Sequence, residues 1–217
     1  CCHNPTGVDL TPQQWEEVVA LCKLKILVPF LDLAYQGFGE GIQEDATAVR
    51  LFTQSGLPFL VASSFSKSFS LYGERVGALS VMTANAEEAV RVLSQIKRVV
   101  RTNYSNPPTH GGGIVTDVLT SPELRQMWED ELGEMRDRIR KMRFELVEQL
   151  KALNVKQDFS FMTKQRGMFS YSGLNPQQVD RLREEFAVYA IMSGRICVAA
   201  LNSGNIDRVA KGIAAVL

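Results

Sequence analysis

Lys67 is the residue best placed to do covalent chemistry. It lies in Ser63-Ser64-Phe65-Ser66-Lys67-Ser68-Phe69-Ser70, a run of small hydroxyl residues and aromatics directly after an apolar segment. A lysine shielded from water loses its proton more readily, and the neutral amine is the form that condenses with an aldehyde. The competing reading is a solvated surface lysine. Asp32 closes another apolar run, residues 25–34, where an unpaired carboxylate is costly and calls for a cationic or hydrogen-bonding partner. A loop or helix-capping aspartate is its competing reading. Arg75 follows Lys67 by eight residues and, together with Ser64, could hold a phosphate by charge and hydroxyl donation. A surface arginine paired with Glu74 is the alternative. Arg195, ahead of an apolar stretch, could grip a carboxylate through both guanidinium nitrogens.

An amine for an aldehyde and an acid for a ring nitrogen are the pair that pyridoxal phosphate chemistry requires. The elements around them must bring the two together. Thr11-Pro12 followed by apolar residues at helical spacing predicts a helix over residues 12–24. The run 25–34 reads as a buried strand whose proline costs one ladder bond. A helix over 43–55 ends at Gly56, buried strands follow at 57–63 and 76–82, and Asn85 with Glu88 opens a further helix. That order implies an α/β sheet, and such sheets take ligands beyond the carboxyl ends of their strands. Both Asp32 to Tyr35 and Ser64 to Lys67 fall at such ends.

Ser121-Pro122 starts a proline-free run to about Ala152, read as a long helix between two domains. Short strands near 168–172 and 196–199, a helix capped at Asn175-Pro176 and a last helix from Asn205 make a smaller α/β unit. The expected division is thus 1–120, a helix over 121–152, and 153–217. Residues 104–113, with two prolines and three glycines, read as irregular. Phe169 reads as a packing residue at the domain interface.

Twenty-four Lys+Arg balance twenty-four Asp+Glu, so nothing favours binding to nucleic acid or an anionic membrane. No apolar run reaches the ~18 to 20 residues needed to span a bilayer. Cys1, Cys2, Cys22 and Cys197 show neither zinc nor disulfide spacing and read as reduced thiols of a cytoplasmic protein. His3 and His110 lack partners at metal-ligand spacing, and no metal site is expected. The chain starts at Cys1 without a leader and reads as an internal piece of a longer polypeptide.

His3-Asn4-Pro5-Thr6-Gly7, Asp32-Leu33-Ala34-Tyr35-Gln36-Gly37-Phe38, Ser64 to Phe69, Tyr72-Gly73-Glu74-Arg75-Val76-Gly77, Arg101 to Pro108 and Ser193-Gly194-Arg195 occur together in this order. In order and spacing they resemble class I aminotransferases of the aspartate and aromatic amino acid branch. Residues 69–75 and 179–186 look nearest to bacterial aromatic-amino-acid (tyrosine) aminotransferases. The resemblance implies a pyridoxal phosphate transferase of fold type I. The chain would supply the C-terminal part of its large three-layer α/β/α domain and its small α/β domain. It implies that Lys67 forms the internal aldimine and shuttles the α-proton, and that Asp32 pairs with the pyridinium nitrogen. Tyr35 and Asn4 would hydrogen-bond the ring oxygen, and Ser64 and Arg75 would hold the phosphate. Arg195 would take the substrate α-carboxylate, while Arg101 would meet the distal carboxylate of a dicarboxylic substrate in a neighbouring subunit.

The implied partners are amino acid and 2-oxo acid substrates and a second copy of the subunit, with active sites shared in a homodimer. One alternative is an aspartate aminotransferase proper. Another, of a different class, is a non-catalytic aminotransferase-like ligand-binding module of a regulator. The joint presence of Lys67, Asp32, Tyr35, Arg75 and Arg195 favours catalysis.

Overall fold

Thr11 Oγ1 accepts a hydrogen bond from the Gln14 N–H, and the Thr11 N–H donates to Gln14 Oε1, so a capping box with Pro12 at the first turn starts helix α1 (Pro12–Lys25). The computed structural model describes residues 1–217. The next elements are strand β1 (Phe30–Leu33), a 3-10 turn at Glu44–Ala46, helix α2 (Thr47–Ser55) and strand β2 (Phe59–Ser64). Gly56 caps α2 at φ +72°, in the left-handed region where glycine is free of the Cβ penalty.

β1 pairs parallel with β2, in register from Phe30 opposite Leu60 to Leu33 opposite Ser63. β3 (Gly77–Met82) runs antiparallel along the other side of β2, giving the order β1-β2-β3. Under this sheet Phe52, Phe59, Val61, Leu33 and Cys22 form a buried core, with Trp15, Val18 and Val19 of α1 packed against it. Each fully buried large apolar side chain contributes roughly 1.5–3 kcal/mol, which is why α1 and α2 dock on this face. Helices α3 (Ala86–Asn103) and α4 (Thr109–Thr120) follow. The Asn85 side chain accepts from the Glu88 N–H to cap α3.

Helix α5 (Pro122–Ala152) carries the chain on. The contacts divide the molecule between Leu132 and Gly133: one unit comprises Cys1 and residues 10–132, the other residues 2–9 and 133–217. The second unit holds α6 (Phe161–Lys164), β4 (Phe169–Tyr171), α7 (Pro176–Phe186), β5 (Arg195–Cys197), a 3-10 turn at Val198–Ala200 and α8 (Ile206–Val216). β4 and β5 pair antiparallel, with Tyr171 opposite Arg195. Leu146, Leu150, Met162, Leu182, Val198 and Ile213 are among its fully buried side chains. α7 and α8 approach closely at Gly212, where an added Cβ would lie 3.0 Å from Leu182 and 3.2 Å from Phe186. No helix is long and apolar enough to cross a membrane.

Three expectations need correction. The strand over 25–34 shrinks to Phe30–Leu33, because Lys25 completes α1 and Ile26 caps it in the left-handed region at φ +53°. Pro29 therefore precedes the strand and costs no ladder bond; its carbonyl accepts from the Leu60 N–H at 2.9 Å. β3 is largely exposed, since an edge strand has a neighbour on one side only. Residues 109–113 are helical, because the first turn follows Pro107-Pro108 and Gly111 serves a close approach. A Cβ on Gly111 would come within 2.7 Å of the Glu74 side chain.

Candidate functional site

Parallel pairing sets the carboxyl ends of β1 and β2 side by side, with Leu33 opposite Ser63. The chain leaving β1 carries Tyr35, and the chain leaving β2 carries Ser64 to Lys67. Tyr35 is buried and Lys67 half-buried. The Lys67 Nζ lies 4.8 Å from the centre of the Tyr35 ring and 5.3 Å from that of Tyr72, a cation held near two aromatic faces.

The turn that presents Lys67 is fixed from below by aromatics. The Phe69 N–H donates to the Phe65 carbonyl at 3.2 Å and the Ser70 N–H to the Lys67 carbonyl at 3.2 Å, closing a helical turn around the lysine. Phe65 meets Phe69 edge to face at 5.4 Å, and Phe69 stacks on Trp128 at 4.5 Å. The Trp128 indole N–H donates to the Ser68 carbonyl at 2.6 Å. Ser66 and Ser68 are buried, so only Lys67 of this triplet reaches outward. A cavity of about 250 Å³ adjoins the turn, lined by Leu33, Ser63, Ser64, Phe65, Phe69 and Trp128.

Beyond Lys67, Ser70 and Arg75 adopt φ of +56° and +54°, left-handed conformations that cost non-glycine residues roughly 1–2 kcal/mol each. Such strain is retained where the surroundings over-determine a turn. Arg75 donates to the Tyr72 carbonyl at 3.0 Å, while Glu74 pairs with His110 at 3.0 Å. The Arg75–Glu74 pair considered from sequence is therefore not formed. Ser64 Oγ accepts from the Ser66 N–H at 3.3 Å.

The loop after Tyr35 has its own anchor. The buried Asp45 carboxylate accepts from the N–H groups of Gly37 at 2.8 Å, Gly39 at 2.9 Å and Glu40 at 2.9 Å. Asp32 corrects a sequence argument: it is exposed, so burial among apolar neighbours does not demand a partner for it. Its alternating position sends it to the same side of the strand as Phe30, which is 65% exposed. Arg101 lies in the last turn of α3, exposed, with Nη1 donating to Ser105 Oγ at 2.6 Å.

Asn4 and Arg195 come together within the second unit, where Arg195 Nη1 donates to Asn4 Oδ1 at 2.7 Å. The Arg195 guanidinium lies 4.6 Å from the centre of the Phe169 ring. Phe169 thus supports a charged side chain and is more than packing. His3 bonds Thr6 Oγ1 at 2.8 Å. All four cysteines are free. Asp32, Tyr35, Ser64, Lys67, Arg75 and Arg101 belong to the first unit, and Asn4 and Arg195 to the second.

Sequence reasoning missed Trp128, Asp45 and Arg143. Trp128 and Asp45 act at long sequence separation or through a loop and leave no local pattern. Arg143 did leave one: it falls on the apolar stripe of α5 with Ile139, Leu146 and Leu150.

The chain matches the family described as aminotransferase class I and II over residues 1–213. It is 66% identical to an aspartate aminotransferase of Pseudomonas aeruginosa and 57% identical to an aromatic-amino-acid aminotransferase of Escherichia coli, over 217 residues in each case. Those matches cover 100% of this chain but 54% and 55% of the relatives. The chain thus spans about half the length of the curated relatives it matches. Among solved structures, the aromatic-amino-acid aminotransferase of Burkholderia pseudomallei, covalently bound to pyridoxal phosphate, superposes with a TM-score of 0.99 at 69% identity. It covers 100% of this chain and 54% of that one.

Proposed function

The chain belongs to the class I and II aminotransferases and shares their α/β fold, type I among pyridoxal phosphate enzymes, and from that premise we propose a transamination. The polypeptide carrying these residues moves an amino group between an aromatic or acidic L-amino acid and a 2-oxo acid such as 2-oxoglutarate. The observation that carries this reading is the placement of Lys67 beside Tyr35 at the common carboxyl edge of β1 and β2.

The donor set fits pyridoxal phosphate. An amine for its aldehyde, a carboxylate for its ring nitrogen, a phenol for its ring oxygen, and a hydroxyl with a guanidinium for its phosphate stand on two adjacent strand ends and the loop after them. When bound, the cofactor supplies a ring that withdraws electrons from the substrate α-carbon. Lys67 would hold the aldehyde and, once free of it, would move the proton at the substrate α-carbon with its amine nitrogen. The Asp32 carboxylate keeps the ring nitrogen protonated. Tyr35 and Asn4 donate to the ring oxygen, and Ser64 and Arg75 hold the phosphate. Arg195 orients the α-carboxylate with two parallel N–H groups, and Asn4 and Phe169 steady that guanidinium. Attachment at separate ends fixes orientation before any proton moves.

Arg101 in this reading serves the distal carboxylate of a dicarboxylic substrate in a neighbouring subunit of a homodimer. The absence of disulfides among Cys1, Cys2, Cys22 and Cys197 supports a reducing compartment, and the cytoplasm is the location this reading proposes. A second reading, an enzyme devoted to aspartate, is favoured by the 66% identity to the Pseudomonas aeruginosa aspartate aminotransferase. A panel of 2-oxo acids separates the two. Lys67→Ala tests the core of the proposal: transamination by the full polypeptide is lost, and turnover within tenfold of the parent overturns the assignment.

A further inference from the structure

Arg143 is a charged side chain where an apolar one would pack. It is 2% exposed and is one of the largest fully buried side chains in the molecule. Replacing a buried charge by a well-packed apolar residue is often neutral or stabilising, so stability alone gives no reason for an arginine here. Its hydrogen bonds suggest another. Nη2 donates to the carbonyls of Gly167 and Phe169, both at 2.7 Å, and Nη1 donates to Ser170 Oγ and, at 3.5 Å, to the Met162 carbonyl. Ser170 Oγ donates onward to Gln165 Oε1 at 2.6 Å. Burial lowers the pKa of the Arg143 guanidinium to about 10, opposed by charge attraction to the Cys2 sulfur, so Arg143 remains cationic at neutral pH.

Three of the contacts that orient Arg195 run to the segment these bonds hold. Phe169 places its ring against the Arg195 guanidinium. β4 pairs Tyr171 with Arg195 itself. The loop of residues 2–9, which supplies Asn4, is tied to the same segment by the Arg166 N–H donating to the Gly7 carbonyl at 2.8 Å. That loop packs so closely that a Cβ on Gly7 would fall 2.6 Å from the Phe169 carbonyl, and one on Gly167 would fall 2.4 Å from Cys2 Cβ.

We infer that Arg143 is a positioning residue for carboxylate recognition: by clamping residues 167–170 it sets the ring, the strand partner and the asparagine that orient Arg195. The inference rests on the assignment of Arg195 to the substrate α-carboxylate. A clamp of this kind acts chiefly on ligand affinity: of the groups assigned to the cofactor it touches only Asn4, and Asp32, Tyr35, Ser64, Lys67 and Arg75 lie in the other unit. Outer contacts that orient metal ligands are commonly worth about 10- to 100-fold in affinity, and the lower end of that scale is taken for a guanidinium held in the same way.

The test uses the full polypeptide loaded with pyridoxal phosphate and the variants Arg143→Lys, Ser170→Ala and Arg195→Lys. Lysine keeps the charge but cannot span the two carbonyls and the hydroxyl together, and Ser170→Ala removes one contact without burying a new charge. The readouts are kcat and KM for tyrosine and aspartate, calorimetric Kd for two unreactive carboxylates, maleate and 3-phenylpropionate, and cofactor affinity of the stripped protein. Arg143→Lys raises every KM and both Kd values about tenfold, and Ser170→Ala raises them about threefold, with kcat and cofactor affinity within twofold of the parent. A lowered melting temperature with unchanged KM and Kd would mean a plain core role and overturn the inference, as would equal losses of ligand and cofactor affinity. If Arg143→Lys does not fold, Ser170→Ala decides alone by the same criteria. Unchanged Kd in Arg195→Lys overturns the assignment of Arg195 and this inference with it. A raised Kd there beside a parental Kd in the other two variants overturns this inference only.

Discussion

Replacing Asp45 by alanine removes the carboxylate that gathers the loop after Tyr35, and the cost can be worked from its contacts. Three backbone N–H groups donate to it, at 2.8, 2.9 and 2.9 Å. Glu40 is exposed, so water takes over its N–H at small cost, whereas Gly37 and Gly39 are buried. Withdrawing an acceptor from a buried donor costs about 1–3 kcal/mol, so Asp45→Ala should destabilise by about 4 kcal/mol. Gly37 and Gly39 share Oδ2, so Asp45→Asn can keep that oxygen for both and give up only the exposed Glu40 contact; it should cost about 1 kcal/mol, falling between alanine and the parent. The glycines make the geometry strict, since a Cβ on Gly39 would lie 2.4 Å from Asp45 Oδ1 and no larger residue could restore the fit. Urea titration of the full polypeptide, followed by fluorescence and circular dichroism, measures both variants. A loss below about 1 kcal/mol for Asp45→Ala, or an asparagine variant less stable than the alanine one, would refute the reasoning.

Arg195→Ala should weaken binding of every amino acid substrate, whereas Arg101→Ala should act on dicarboxylic substrates alone; exchanged results in steady-state kinetics would mean that the two roles are reversed. Asn175→Ala breaks a capping box in which Asn175 accepts from the Gln178 N–H at 2.9 Å and should cost about 1 kcal/mol in urea titration. Unchanged stability would show that Pro176 alone starts α7. Trp128→Phe keeps the stack on Phe69 but removes the indole donor to Ser68 and should cost about 1 kcal/mol while slowing cofactor uptake; parental uptake would separate Trp128 from the Lys67 turn.

Much of the site could be read from residue types because local rules govern it. Thr11-Pro12, Asn85 with Glu88, and Asn175-Pro176 are signals that caps alone explain, and α1, α3 and α7 begin where those signals put them. The polar residues after two apolar strands are legible as a candidate site, and parallel pairing of β1 with β2 supplies the physical reason that Tyr35 and Lys67 meet. What escaped depends on tertiary contact. Three glycines after two prolines suggest an irregular loop, yet Gly111 packs against Glu74 and Val76 and the segment coils as α4. The apolar run after α1 looked like one long strand because periodicity cannot mark the left-handed cap at Ile26. Asp32 looked buried from its neighbours in sequence, but exposure is decided by which face of a short strand a residue occupies. Trp128 reaches Ser68 across sixty residues, a separation at which sequence spacing carries no signal.

The most direct test of the account is borohydride reduction of the full polypeptide with bound pyridoxal phosphate, followed by mass mapping of the labelled peptide. The account predicts a visible band that shifts on adding tyrosine or aspartate and a single reduced adduct on Lys67. An adduct on another lysine, or label spread over the surface lysines with no band, would contradict it.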